Sequence, residues 1–178
     1  MAPAKPLPVD PIAEARRQWV AHGWSDAADG MSAVTSVMRA HQLMLAEVDR
    51  ALRPHGLTFA RYELLQLLAF TREGRLPMAS ATARLQVHPA SITNSVSRLE
   101  RDGLLRREPH PDDGRAAMLE LTDAGRDLAE RATRTLNDDV FSRIGPDEES
   151  LRTLVHVIAR MRRAAGDFAE PRPQPDPL

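Results

Sequence analysis

The chain contains no cysteine, which excludes disulfide bonds, thiolate metal ligands and cysteine nucleophiles. Aromatic residues make up only 4% of the sequence, so a hydrophobic core must be built mainly from aliphatic side chains. No apolar run approaches the roughly 20 residues that a membrane-spanning helix needs. The N-terminus also lacks the apolar stretch of a signal peptide. We therefore expect a cytoplasmic protein that makes no contact with a membrane.

Common catalytic motifs are missing as well. The sequence has no glycine-rich phosphate loop, no G-x-S-x-G and no H-E-x-x-H. Its six histidines show no i, i+4 pair and no short ligand motif, so a zinc site would have to arise through tertiary proximity. These absences predict a protein that is not an enzyme and that carries no cofactor and no metal.

Proline and helical periodicity organise the chain of 178 residues. Eight of the 14 prolines lie in the first 11 and the last eight positions, which predicts extended tails at both ends. Between the tails the pattern predicts six or seven helices and one small hairpin. The helices outside the central region are expected at 12–22, at 31–53 before Pro54, from a Thr58 cap to about Thr71, at 122–141, and from Pro146 onward.

The clearest pattern lies in residues 80–121, where a short helix, a tight turn and a second helix precede two strand-like runs. These runs, at 104–108 and 116–121, flank a turn-rich loop at 109–115. This order is typical of a helix-turn-helix with a β-wing, a unit that places one helix in the major groove of DNA. The net charge of −1 does not oppose this interpretation, because a near-neutral chain can still carry a basic face.

The second helix of this unit separates an apolar face from a polar face. Pro89 suits its first turn, and Ile92, Val96 and Leu99 share one side at about 100° per residue. The opposite side lacks acidic residues, and its hydroxyl, amide and guanidinium groups suit base edges and phosphates. The candidate DNA contacts on this helix are Ser91, Thr93, Asn94, Ser97, Arg98 and Arg101.

Two further arginines extend the predicted DNA-binding surface into the wing. Arg107, next to Arg106, is expected to contact phosphate. Arg115 ends the loop and is expected to enter the minor groove, whose negative potential attracts arginine. The alternative for Arg115 is a solvated ion pair with Asp112 or Asp113.

Three motifs together resemble the MarR (multiple antibiotic resistance regulator) family of winged-helix regulators. They are RLERDGLLRRE at 98–108, D-x-R at 113–115 and LELTDAGRDL at 119–128, within a resemblance that covers about residues 31–165. The wing departs from the commonest family pattern, with Gly114 where a second arginine is frequent and Ala116 where serine is frequent. The resemblance implies a dimer whose helical dimerisation region is made from both termini.

The terminal helices carry apolar stripes with little globular domain to cover them. Val34 and Met38 belong to the first stripe, and Leu154, Val155 and Met161 to the second. Packing within one chain is one interpretation, and a homodimer interface is the other. A helix-turn-helix protein usually reads a palindromic site as a two-fold pair, which favours a homodimer on double-stranded DNA.

A ligand site is also expected, since the resemblance implies a small phenolic or carboxylic aromatic effector. Two of the few aromatic residues lie near an extra N-terminal helix, where they form a pocket wall or only pack that helix onto the core. This helix is similar to one in the urate-responsive subgroup, where Trp19 matches the subgroup's tryptophan. Glu63, however, stands at the subgroup's aspartate position in the helix before the helix-turn-helix, and Ser95 stands at its arginine position in the DNA-reading helix. A different aromatic carboxylate is therefore expected, held by a base such as Arg39, Arg50 or Arg61. The candidate ligand residues are Trp19, His22, Trp24, His41, Tyr62, Glu63 and Ser95.

The sequence thus predicts a repressor that a small aromatic ligand releases from its operator. The expected segments are tails at 1–11 and 169–178, N-terminal dimerisation and ligand helices at 12–53, a winged helix-turn-helix at 54–121, and C-terminal dimerisation helices at 122–168. Two alternatives stay open, a regulator that needs no effector and a metal-responsive regulator.

Overall fold

The computed structural model describes residues 7–85, 88–110, 113–145 and 147–168, which form a mainly helical protein with a small sheet. This confirms the predicted fold class. No helix within these ranges is long and apolar enough to cross a membrane. The helices are α1 (Pro11–Ala21), α2 (Ser25–Leu52), α3 (Phe59–Phe70), α4 (Met78–Leu85), α5 (Pro89–Arg101), α6 (Asp123–Asp139) and α7 (Glu148–Ala164). The strands are β1 (Arg75–Pro77), β2 (Leu105–His110) and β3 (Asp113–Leu121), and short 3-10 turns span Arg53–His55 and Phe141–Arg143.

The chain divides into two compact units, the first ending at Glu47 and the second beginning at Val48. In the first unit, Asp10 caps α1 by accepting a hydrogen bond from the backbone N–H of Ile12 at 2.9 Å. Arg16 on α1 forms an ion pair with Asp29 on α2, at 2.7 Å between Nε and Oδ1. Both of these ion-pair side chains are exposed, so this link contributes little to stability.

The second unit has one aliphatic core, as the low aromatic content predicts. It gathers α3, α5, α6 and the sheet around side chains that are almost fully buried. The largest of these are Leu52, Leu64, Leu65, Leu68, Ile92, Val96, Leu99, Leu105, Leu119 and Leu136. The predicted core side of α5 is therefore correct. Because this core fixes one side of α5, it also determines which side chains of that helix face outward.

The sheet has three antiparallel strands in the order β1-β3-β2, so the predicted single hairpin was incomplete. Leu76 of β1 pairs with Leu119 of β3, which pairs with Arg107 of β2 on its other side. The predicted loop at 109–115 was also wrong, because β2 runs to His110 and β3 begins at Asp113. Strand pairing extends over proline and glycine positions that favour turns on their own.

Several helix ends differ from the sequence prediction. The helix predicted from residue 31 begins at Ser25, because Gly30 sits inside it without interrupting it. Thr58 precedes α3 in an extended conformation but makes no capping side-chain bond. Before α7 the capping residue is Asp147, whose carboxylate accepts from the Ser150 backbone N–H at 2.7 Å. This bond is the main reason that the pKa of Asp147 lies below its usual value. Pro146 lies outside the described residues.

A tight junction connects the end of α5 to the start of α6. Gly103 follows α5 with φ of +72°, a conformation that glycine adopts easily. Thr122 donates from Oγ1 to the Gly103 carbonyl at 2.8 Å and accepts from the Gly125 N–H at 3.0 Å. Its own N–H donates to the Leu104 carbonyl at 3.2 Å. The junction therefore fixes where α5, the second helix of the predicted helix-turn-helix, ends.

Candidate nucleic-acid interface

Helix α5 carries the predicted DNA-reading face, and the structure exposes that face. Pro89 lies in the first turn, and the His88 side chain caps the helix by accepting from the Ala90 N–H at 3.2 Å. Ile92, Val96 and Leu99 are buried. The predicted DNA contacts on this helix are all exposed, and they are Ser91, Thr93, Asn94, Ser97, Arg98 and Arg101. The helix thus presents hydroxyl, amide and guanidinium groups opposite its core side.

Two of these side chains are linked along the helix. The Nε of Arg98 donates to the Oδ1 of Asn94 at 3.2 Å, one turn away. This bond holds the amide next to a positive charge and fixes which end of the amide is engaged. Both residues are exposed, so the pair lies on the part of the helix that is open to a partner.

Arg107 on β2 is bound to α5, which the sequence did not predict. Its Nη2 donates to the Oγ of Ser97 at 2.7 Å, and its Nε lies 3.3 Å from the Oε2 of Glu100. The Arg107 side chain is 32% exposed. The residue predicted as a phosphate contact therefore ties the first wing strand to the reading helix. Its partners lie three residues apart on one face of α5, but this spacing does not identify a partner on another element.

The wing itself is described through its backbone. Strand β3 includes Arg115, which the sequence placed at the end of a loop. The side chain of Arg115 lies outside the described part of the structure, and so does Asp112. The minor-groove role of Arg115 stays a prediction.

A second arginine secures the far end of α5. Arg61 on α3 donates from Nη2 to the Gly56 carbonyl at 2.8 Å, and its Nη1 lies 3.7 Å from the Oδ2 of Asp102. The Arg61 side chain is only 15% exposed. This arginine was one candidate to hold a carboxylate ligand, but the structure engages it in joining α3 to the end of α5.

The candidate ligand residues of the first unit form an aromatic cluster. The rings of Trp19 and Trp24 meet edge to face with centroids 5.4 Å apart, and His22 stacks on Trp24 at 5.7 Å. Trp24 is 54% exposed. His41 is exposed on α2, so it is not part of the core, and its role as a ligand residue stays a prediction. The cluster offers an open aromatic surface with one polar ring.

The candidate ligand residues of the second unit are split between a pocket and the core. Glu63 on α3 and Ser95 on α5 line one pocket, together with Ala60, Leu85 and Ser91. Its volume is about 20 Å³, enough for a water molecule but far below the roughly 300 Å³ of an ordinary ligand site. Tyr62 instead points into the core, with its hydroxyl 3.1 Å from the Oγ1 of Thr133 on α6. An aromatic ring does not fit beside Glu63 in this conformation.

Burial raises the pKa of the Glu63 carboxyl above its ordinary value of 4.5. The folded state therefore favours the neutral carboxyl more strongly than the unfolded chain does. The free energy of unfolding consequently falls as the pH rises through the shifted pKa. We expect Glu63→Gln to melt at a modestly higher temperature than the native chain near neutral pH, with the difference vanishing below pH 4. Melting curves across this range measure the effect. Glu73→Gln, at an exposed position, is the control, and an equal rise in both variants contradicts the prediction.

Nothing in the described ranges resembles a metal centre. No three histidine or acidic side chains among those residues lie close enough together to hold an ion.

Comparison with known proteins identifies the family to which this geometry corresponds. A sequence model of the MarR family matches residues 55–116, which run from the 3-10 turn before α3 through the first wing strand and into the second. The HTH-type transcriptional regulator YdgJ of Bacillus subtilis is 28% identical over 110 residues, which cover 60% of this chain and 65% of that protein. This chain thus spans just under two thirds of that curated relative.

Solved structures extend the similarity over most of the chain. Sco5413, a MarR family transcriptional regulator from Streptomyces coelicolor, is 46% identical with a TM-score of 0.72, covering 80% of this chain and 99% of that one. Sco3205, another MarR family regulator from Streptomyces coelicolor, was solved in complex with DNA. It is 27% identical with a TM-score of 0.66, and the match covers 82% of this chain and 92% of that one.

Proposed function

Because this chain belongs to the MarR family of DNA-binding transcriptional regulators, we propose that it is a repressor that a small aromatic ligand releases from a palindromic operator. The observation that carries the proposal is helix α5, whose core side is fully buried while its outer side presents hydroxyl, amide and guanidinium groups. Such a helix suits the major groove. The relatives of this chain are transcriptional regulators rather than enzymes.

The protein is proposed to bind DNA as a homodimer. Helices α2 and α7 each leave large apolar side chains exposed, although an apolar face is normally buried against a partner. The exposed apolar side chains of these two helices are Val34, Val37, Met38, Leu43, Leu45, Leu154, Val155, Val157 and Met161. A two-fold pair would present two α5 helices about one helical turn of DNA apart.

The effector is proposed to be a small aromatic carboxylate or phenol. The exposed stacking surface at Trp19, His22 and Trp24 supports this chemistry. The pocket beside Glu63 and Ser95 would admit such a ring only if α5 moved relative to α3. A ligand that requires the opened arrangement binds that state better and shifts the population toward it. The shift would reposition the DNA-reading helix.

One experiment tests the operator and the effector together. Fluorescence anisotropy on DNA enriched from a genomic library should show nanomolar, salt-dependent binding at the selected sites. A panel of aromatic acids that includes urate should then contain a compound that gives heat in calorimetry and releases the DNA. Specific DNA binding without any effective compound would support the effector-independent regulator instead. Failure to bind any selected DNA would reject the proposal.

The wing supplies a prediction of its own. We expect Arg115→Ala to reduce operator affinity several-fold, because an arginine in the minor groove gains from the negative potential there. The dimer should stay intact, which size-exclusion chromatography checks. A gel-shift titration at fixed salt measures the affinity, and an unchanged dissociation constant would reject the minor-groove role.

A further inference from the structure

The acceptor atom of Asn94 is engaged within the protein. Asparagine reads adenine by accepting from the base amino group through its amide oxygen while its own NH₂ donates to N7. Here the amide oxygen already accepts from the Nε of Arg98 at 3.2 Å. The positive guanidinium next to it also repels a donor group that approaches the same oxygen. Because Arg98 occupies one of the two lone pairs of this oxygen and its charge disfavours a second donor there, the NH₂ group of Asn94, which only donates, is the better placed to meet DNA.

The hydroxyl oxygen of Ser97 also accepts a hydrogen bond from an arginine of the protein. A hydroxyl has one proton to donate and two lone pairs that accept. The Nη2 of Arg107 donates to this oxygen at 2.7 Å, a short charge-assisted contact. With a guanidinium on one of these two lone pairs, the Ser97 hydroxyl is favoured to donate its proton outward. Arg107 is held in place from its other side by Glu100, at 3.3 Å.

The remaining charged groups of this face reinforce the pattern. Arg98 and Arg101 carry guanidinium groups that donate and cannot accept. The two acids near the end of α5 are both directed to arginines. Glu100 lies against Arg107, while Asp102 lies 3.4 Å from Arg101 and 3.7 Å from Arg61. Around Asn94, Ser97 and Arg98 the reading face thus offers mainly donors, because the acceptor atoms of Asn94 and Ser97 each already take a hydrogen bond from a guanidinium of the protein.

A surface of donors matches the guanine edge best in the major groove. Guanine presents two acceptors there, N7 and O6, whereas thymine presents only O4 beside its methyl group, and adenine and cytosine each present an amino donor. We infer that α5 selects guanine in each half-site, with Arg107 as a positioning residue that makes Ser97 a donor. This inference rests on the proposed operator binding and adds the base that the reading face prefers.

Modified bases test the selection directly. Operators are first enriched from a random duplex library with the full-length protein, and each conserved guanine is then replaced in turn. Replacement by 7-deazaguanine removes the N7 acceptor, and we expect at least one position to lose about tenfold in affinity. Replacement by inosine keeps N7 and O6 and removes only the minor-groove amino group, so affinity there should be unchanged.

Variants of two neighbouring arginines test the role of Arg107. Arg107→Met frees the Ser97 acceptor, so we expect the preference for guanine over adenine to fall several-fold at one position. Arg107→Lys restores a donor and should keep the preference. Arg106→Met, at an exposed position on the same strand, is the matched control. Loss of a phosphate contact there should weaken binding to all sequences equally and lower the salt slope by about one.

The outcomes separate this inference from the function on which it rests. Specific binding to operators with no guanine preference overturns the inference and leaves operator binding intact. A base preference unchanged in Arg107→Met, with the variant folded as judged by its melting curve, overturns the role of Arg107. A chain that enriches no DNA sequence at all contradicts both proposals.

Discussion

Replacing Gly125 by alanine is expected to lower the melting temperature by about 4–8 °C, because the added methyl group has no space and its clash outweighs the gain in helix propensity. A Cβ at this position would lie 2.0 Å from the Leu104 carbonyl oxygen and 2.8 Å from the Cδ1 of Leu121. The carbonyl is backbone that accepts from the Thr122 N–H, so it cannot turn aside without breaking the junction between α5 and α6. Overpacking of this kind costs about 3 kcal/mol, at the upper end of its usual range.

The gain in helix propensity works against this loss without cancelling it. Alanine in a helix is favoured over glycine by about 1 kcal/mol, so the clash must exceed that gain for the variant to melt lower. Gly30 in α2 provides the matched control, since a Cβ there meets no atom within 4 Å. Gly30→Ala should leave the melting temperature unchanged or raise it. Calorimetry on both variants checks the prediction, and it is wrong if Gly125→Ala melts with the native chain.

The second large effect is expected from Val155→Asp on α7. Val155 is 67% exposed in the single chain, so the substitution should not disturb the protomer. In the proposed dimer the same position would bury a carboxylate in each of two related copies. Burying an unpaired charge costs several kcal/mol, so we expect dimerisation to weaken by at least about 100-fold. Operator affinity should fall in parallel, since a single protomer retains only half of the DNA contacts of the dimer.

Analytical ultracentrifugation over a range of concentrations, combined with anisotropy on the operator, measures both effects. His156→Asp is the control, because it places a carboxylate at an exposed position on the side of α7 opposite its apolar stripe. A Val155→Asp chain that stays dimeric rules out this face as the interface. A loss of melting temperature that does not depend on concentration would instead indicate packing within one chain.

The parts of the fold that local sequence specifies were predicted well. The buried face of α5 follows from the spacing of Ile92, Val96 and Leu99, and the start of α6 follows from the capping residue Thr122. Strand β1 was missed because it has three residues, one of them proline, and its partner on β3 lies far along the chain. Pairing at that distance leaves no periodic signal in the neighbouring sequence.

The candidate site shows the same division between local and distant information. Exposure of the reading face could be deduced from helical periodicity alone. The bond from Arg107 to Ser97 could not, because it depends on how β2 packs across α5 after the intervening turn. An arginine beside a DNA-reading helix suggests phosphate contact from its charge, yet its actual partner is set by tertiary packing.

The edge-to-face pair of Trp19 and Trp24 has a consequence for the spectroscopy of this protein. These are its only two tryptophans, and their rings lie 5.4 Å apart near the N-terminal helix. Tryptophan emission from the native, unlabelled chain, excited at wavelengths that tyrosine does not absorb, therefore arises from a single location in each chain. Quenching or a wavelength shift of this emission during a titration would report on that location alone. Helix α5 contains no tryptophan and would contribute no signal.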